Sequence, residues 1–74
     1  MPKLRVLSGY EICLILQAHG FLENRQRGSH IIMQLQLEHS TVSVAVPNHK
    51  EVAIGTLRSI IRQSGLLRSD FETE

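Results

Sequence analysis

The chain has 74 residues, of which 42% are hydrophobic and 20% are charged. These values fit one small domain covering residues 1–74, and they exclude a disordered, collagen-like or low-complexity protein. The net charge is +1, but without Asp70, Glu72 and Glu74 the remaining residues 1–69 hold eight basic and four acidic side chains, a charge of +4. We therefore expect a mildly basic body followed by an acidic tail.

The cysteine and histidine content indicates which cell compartment and which metal chemistry to expect. A single cysteine, Cys13, cannot form an internal disulfide, which favours a reducing compartment. The densest apolar run, Ile12 to Leu16, is too short for a signal peptide or a membrane span. None of the four histidines is spaced to share a metal with another on one helix. We expect a cytoplasmic protein with no membrane segment, no metal and no small-molecule cofactor.

The first predicted element is a helix over residues 9–19. Ser8 and Glu11 have the Ser-x-x-Glu spacing of a capping box, which satisfies free backbone amides at a helix start. Gly20 is the residue type that ends helices in a left-handed conformation. One face of this helix is apolar, at Ile12, Ile15 and Leu16.

Three strands are predicted next. Residues 21–27 form a weak strand, and Gly28-Ser29 fits a two-residue type II′ turn into a second strand. A third strand follows and stops at Pro47-Asn48. Both later strands alternate apolar and polar residues, so one face should be buried and the other polar. The expected inward residues are Ile31, Met33, Leu35, Leu37, Val42, Val44 and Val46.

Helical periodicity returns over residues 54–64, and Gly65 is the expected stop. The expected buried side of this helix holds Leu57, Ile60, Ile61 and Ser64. Ser69 and Glu72 repeat the capping-box spacing, which predicts a final helical turn with Phe71 docked on the core. The order α-β-β-β-α predicts an α+β fold in which a three-stranded antiparallel sheet has both helices on one face.

The turn at Gly28-Ser29 has a chemical consequence. It places Arg27 opposite His30 and Arg25 opposite Ile32, on the polar side of the sheet. Guanidinium groups bind phosphate oxygens, and a histidine can transfer a proton near neutral pH, so this group suits RNA backbone chemistry. An exposed charged surface with no catalytic role is the alternative interpretation. The same face would continue over Gln34, Gln36, Thr41 and Ser43.

Four segments together resemble the HicA-type mRNA interferase toxins of bacterial toxin–antitoxin systems. They are Gly20-Phe21, Arg25 to His30, Val44 to Lys50 and Gly55 to Gly65. The resemblance implies a fold like that of double-stranded-RNA-binding domains, cleavage of mRNA, and inhibition by a HicB-type antitoxin. It also implies that His30 is the essential histidine.

The resemblance assigns further residues to motifs. Gly28 is the turn glycine and Ser29 its neighbour, and Pro47 and His49 form a second motif. The remaining motif residues are expected at a helix start and in packing; they are Gly55, Thr56 and Leu57.

Our hypothesis is the toxin of a type II toxin–antitoxin system with a role in stress response, acting as a metal-independent endoribonuclease. His30 would be the general acid or base. The expected RNA-binding residues are Arg25, Arg27, Ser29, His49 and Lys50. Two alternatives use the same polar face without catalysis: an RNA-binding module, and a protein-interaction module that docks a partner on this face or on an edge strand.

Overall fold

The computed structural model describes residues 3–72 and has the order predicted from the sequence. The three strands form one antiparallel sheet in the order β1-β2-β3. This confirms the α+β fold with two helices and a three-stranded sheet. The elements are α1 (Gly9–Ala18), β1 (Leu22–Arg27), β2 (His30–Gln36), β3 (Thr41–Pro47), α2 (Ile54–Ser64) and a final 3₁₀ turn (Arg68–Phe71).

Helix α1 begins at the predicted capping box. The Ser8 hydroxyl accepts a hydrogen bond from the Glu11 backbone at 3.1 Å, and the Glu11 carboxylate accepts one from the Ser8 backbone at 2.9 Å. The second of these bonds is the main reason why the pKa of Glu11 lies below its ordinary value. The box therefore satisfies two backbone amides that the first helical turn leaves without partners.

The β1–β2 hairpin has the predicted register. Arg27 pairs with His30, and Arg25 pairs with Ile32. Gly28 has a φ of 58°, while Ser29 does not have positive φ, which is the pattern of a type II′ turn. The sequence did not predict the β-bulge between Glu23 and Arg25, which inserts one extra residue into β1.

Both helices cover the same face of the sheet. The buried sheet residues are Ile31 and Met33 on β2 and Val44 and Val46 on β3. They pack in one hydrophobic cluster with the apolar sides of the helices, which include Ile12, Leu16, Leu57 and Ile60. The prediction that Leu37 is buried is wrong: β2 ends at Gln36, and Leu37 is exposed in the β2–β3 turn, where its backbone donates to the Ser40 carbonyl.

The two ends of the described chain meet. Leu4 forms a β-bridge with Glu72, and the Arg5 backbone donates to the Phe71 carbonyl at 2.9 Å. The docking of Phe71 is confirmed, because its side chain is 0% exposed. The prediction that Ser69 caps the last turn is wrong. The N-cap of the last turn is Leu67, whose backbone donates to the Asp70 carboxylate at 3.1 Å.

Helix α1 and the end of β3 make a close backbone contact. The Gly9 backbone donates to the His49 carbonyl at 2.9 Å, and the Gly9 Cα lies against the carbonyl of buried Pro47. A Cβ at position 9 would overlap that carbonyl. The first residue of α1 therefore has to be glycine for the helix to dock in this position.

We expect Gly9→Ala to lower the free energy of unfolding by about 1–3 kcal/mol, because the added methyl must displace backbone atoms. Gly55→Ala is the matched control, since it also lies in the first turn of a helix and a Cβ there meets nothing within 4 Å. Urea unfolding followed by circular dichroism measures both. An unchanged midpoint for Gly9→Ala would contradict the contact.

Candidate active site

The face of the sheet that the helices leave uncovered is called the open face below. The strand registers place there Arg25 and Arg27 of β1, four residues of β2 and three of β3. All of these side chains are exposed or partly exposed. The β2 and β3 residues are His30, Ile32, Gln34, Gln36, Thr41, Ser43 and Ala45.

His30 and Arg27 are direct cross-strand neighbours on the open face. Side chains in such pairs have Cβ atoms about 4.5–5.5 Å apart, and Arg25, one diagonal step away, lies at about 7–8 Å. Neither arginine forms an ion pair within residues 3–72, and both are exposed. Two guanidinium groups are therefore available to an anion that also reaches the imidazole.

The segment after β3 is held beside the hairpin turn. The Asn48 backbone donates to the Ser29 carbonyl at 2.6 Å, which extends the β2–β3 pairing past Pro47, the partner of His30. His49 and Lys50 follow directly and are exposed. The structure thus brings this segment next to Ser29 and His30.

The remaining motif residues of the family resemblance lie in another part of the structure. Gly55, Thr56 and Leu57 form the first turn of α2, and Leu57 is 1% exposed in the core. These residues are placed for helix initiation and packing, away from the open face.

A hydrogen-bonded row of side chains crosses the open face and was only partly foreseen from the sequence. Asn24 Nδ2 donates to Gln34 Oε1 at 2.6 Å, and Gln34 Nε2 donates to Ser43 Oγ at 3.1 Å. In the next row the Thr41 hydroxyl donates to Gln36 Oε1 at 3.2 Å. Strand alternation identifies the β2 and β3 members of these rows. Asn24 reaches the open face only because of the bulge, for which the sequence carries no local signal.

Two other reactive side chains lie away from the open face. Burial, and then the charge of Glu23, raises the pKa of Cys13 to about 11, so this cysteine is a protonated thiol at neutral pH. His19 bonds the Ile15 carbonyl at 2.9 Å and contacts the Asp70 carboxylate at 3.4 Å, so it connects the end of α1 to the last turn. The surroundings of Cys13 and His19 therefore indicate a structural role for both residues.

The described part of the chain contains no group of three or more side chains placed to hold a metal ion. Over the same part, no helix is long and apolar enough to cross a bilayer.

Comparison with known proteins gives one family. A family model described as HicA toxin of bacterial toxin-antitoxin matches residues 9–66, which is more than half of the chain and extends from α1 past α2. No curated protein and no solved structure matches the chain significantly. The matched range includes the hairpin turn, His30 and the segment after β3.

Proposed function

The chain belongs to the HicA family of toxins from bacterial toxin–antitoxin systems, and from this premise we propose that it is an endoribonuclease that cleaves mRNA in the cytoplasm. Family membership implies an antitoxin partner. We further propose that this partner is of the HicB type and that the pair acts in stress response. The observation that supports nuclease activity is the exposed pair of His30 and Arg27 on an uncovered sheet face.

In the proposed reaction His30 accepts the proton of a ribose 2′-hydroxyl. The 2′-oxygen forms a bond to the adjacent phosphorus, the bond from phosphorus to the 5′-oxygen breaks, and that oxygen leaves with a proton from the surrounding water. The products are a 2′,3′-cyclic phosphate and a 5′-hydroxyl end. Arg27 stabilises the negative charge that develops on the phosphate oxygens, and Arg25 supports it.

The remaining residues would position the strand. Ser29, His49 and Lys50 surround the same end of the hairpin, and an ammonium and a hydroxyl there can bind phosphates next to the cleaved one. Because the arginines supply the positive charge and the nucleophile belongs to the RNA itself, the proposed reaction needs no metal.

The test uses the purified chain, free of its antitoxin, and a short RNA oligonucleotide in the presence of a chelator. We expect cleavage, with a 2′,3′-cyclic phosphate on the upstream product. A matched oligonucleotide with deoxyribose at the cleaved position should stay intact, because it lacks the nucleophile.

The outcomes separate the proposal from its alternatives. Cleavage of the deoxy substrate would overturn the 2′-hydroxyl mechanism, and loss of cleavage on chelation would overturn metal independence. Salt-sensitive RNA binding without products would indicate a non-catalytic RNA-binding module. No RNA binding at all would indicate a protein-interaction module.

A further inference from the structure

At the other end of the open face from the hairpin turn lies a small recess between the start of β1 and the end of β2. Its volume is about 270 Å³, slightly below the usual range for sites that hold drug-sized ligands, so it suits a single planar group. We call it the amide recess. The lining residues used below are Leu22, Glu23, Asn24, Gln34 and Gln36.

The bulge in β1 creates this recess. Regular alternation would place Asn24 opposite Met33 and toward the core, but the extra residue gives that position to Glu23. Asn24 turns outward and bonds Gln34. Leu22 pairs with Gln34 across the strands and is 71% exposed, so it presents an apolar surface at the same place.

Hydrogen bonds hold the polar side chains of the recess in place. Gln34 is held on both sides, since its oxygen accepts from Asn24 and its nitrogen donates to Ser43. Gln36 is held by Thr41. Fixing long polar side chains on a solvated surface costs conformational entropy, and a ligand that meets them already fixed does not bear that cost.

The hydrogen-bonding groups of the recess that have no partner among the described residues indicate which kind of ligand it can bind. Within residues 3–72, the side-chain oxygen of Asn24 accepts no hydrogen bond. This oxygen is a hydrogen-bond acceptor on the wall of the recess. A flat ring with an exocyclic amino group, as in adenine, cytosine and guanine, supplies the matching donor. Uracil offers only one ring N–H, which lies between two carbonyl oxygens that an acceptor repels. The exposed Leu22 side chain offers the apolar contact for the ring.

We propose that the amide recess binds a nucleobase bearing an exocyclic amino group, on the same RNA strand whose cleaved phosphate lies at His30. This inference rests on the proposed function and adds a base-selecting subsite to it. His30 and Gln34 lie four residues apart on one face of β2, a separation on the order of 13 Å that a short stretch of single strand can span. The base in the recess would set the position of the cut.

The test measures base preference without cleavage. In the His30→Ala background, affinities for oligocytidylate and oligouridylate are compared by fluorescence anisotropy. The two bases differ at neighbouring ring positions, where cytosine has an amino group and an unprotonated nitrogen and uracil has a carbonyl oxygen and an N–H. We expect oligocytidylate to bind at least about fivefold more tightly. Adding Asn24→Ala should bring the ratio close to one.

Gln63→Ala is the matched control, because Gln63 is an exposed amide on α2 that bonds only Ser59 among the described residues. It should keep the preference. Circular dichroism verifies that each variant folds. If Asn24→Ala disturbs the bulge, Gln34→Ala is the second recess variant, because it removes the partner that positions the Asn24 amide and should also lower the ratio. Equal affinities in the His30→Ala background, or a preference that survives both recess variants, would overturn the proposal.

The result is separable from the proposed function. Binding in the His30→Ala background involves no catalysis, so a chain that selects bases but cuts no RNA would retain the subsite and lose the nuclease. A chain that cuts RNA with no cytidine preference would do the reverse. In the active chain, cut sites mapped along an mRNA should keep a fixed offset from an amino-bearing base, and Asn24→Ala should relax that pattern.

Discussion

Replacing His30 by alanine is expected to slow RNA cleavage by about 10²- to 10⁴-fold, the usual contribution of general acid–base assistance. The fold should be unaffected. The His30 side chain is exposed and makes no hydrogen bond to any residue in the 3–72 range, so its removal leaves no buried group without a partner. The measurement is the initial cleavage rate of one RNA by both proteins, with thermal unfolding as the test of fold.

His39→Ala is the matched control for this loss. His39 is another exposed histidine, in the β2–β3 turn, and its contact is with Glu38 at 3.7 Å. Its replacement should leave the rate at the wild-type level. Growth of cells expressing the chain without its antitoxin should arrest with wild type and with His39→Ala, and should continue with His30→Ala. A wild-type rate for His30→Ala would remove His30 from the reaction.

The second large effect is expected on stability. Phe71→Ala should lower the free energy of unfolding by about 3–5 kcal/mol, because it empties a fully buried aromatic site where the last turn closes on the core. Small domains have total stabilities of about 5–15 kcal/mol, so this loss is a large fraction of the whole. Urea unfolding followed by circular dichroism should show a much lower midpoint.

The control for this change lies in the same turn. Leu67 precedes the 3₁₀ residues and is 69% exposed, so Leu67→Ala should change stability by no more than about 0.5 kcal/mol. Equal losses for both variants would mean that the turn matters as a whole and that the burial of Phe71 does not. A negligible loss for Phe71→Ala would contradict the packing of this end of the chain.

The sheet could be predicted because its information is local. A two-residue turn at Gly28-Ser29 fixes which residues pair, and alternation then fixes which face each side chain takes. The position of His30 beside Arg27 follows from these two rules alone. Helix α2 could be predicted for the same reason, since its hydrophobic periodicity and its end at Gly65 are both local signals.

The features that were missed depend on contacts between distant parts of the chain. Leu37 continues the apolar parity of β2, but the backbone turn to Ser40 takes it off the sheet. The last turn has its N-cap at Leu67 because Phe71 and the Leu4 bridge fix its position, which overrides the capping spacing at Ser69. Nothing in the sequence marks Gly9 as the residue that meets the Pro47 carbonyl.

The candidate site also contains residues that the sequence predicts and residues that depend on distant contacts. Strand parity identifies the arginines, His30 and the amides of β2, whereas Asn24 requires the bulge. The bond from Asn48 to the Ser29 carbonyl, which brings the Pro47–Lys50 segment to the hairpin, joins residues far apart in the chain. For that reason the sequence suggested His49 and Lys50 but could not place them.

The irregularity in β1 also affects how copies of this chain meet one another. β1 is an outer strand, and a straight outer strand offers its unpaired amides and carbonyls to any second sheet. Here the extra residue near Asn24 interrupts that row, and Glu23, Arg25 and Arg27 put both signs of charge along it. The outer edge of β1 is therefore a poor template for edge-to-edge self-association. The protein can keep an uncovered sheet face without polymerising through this edge.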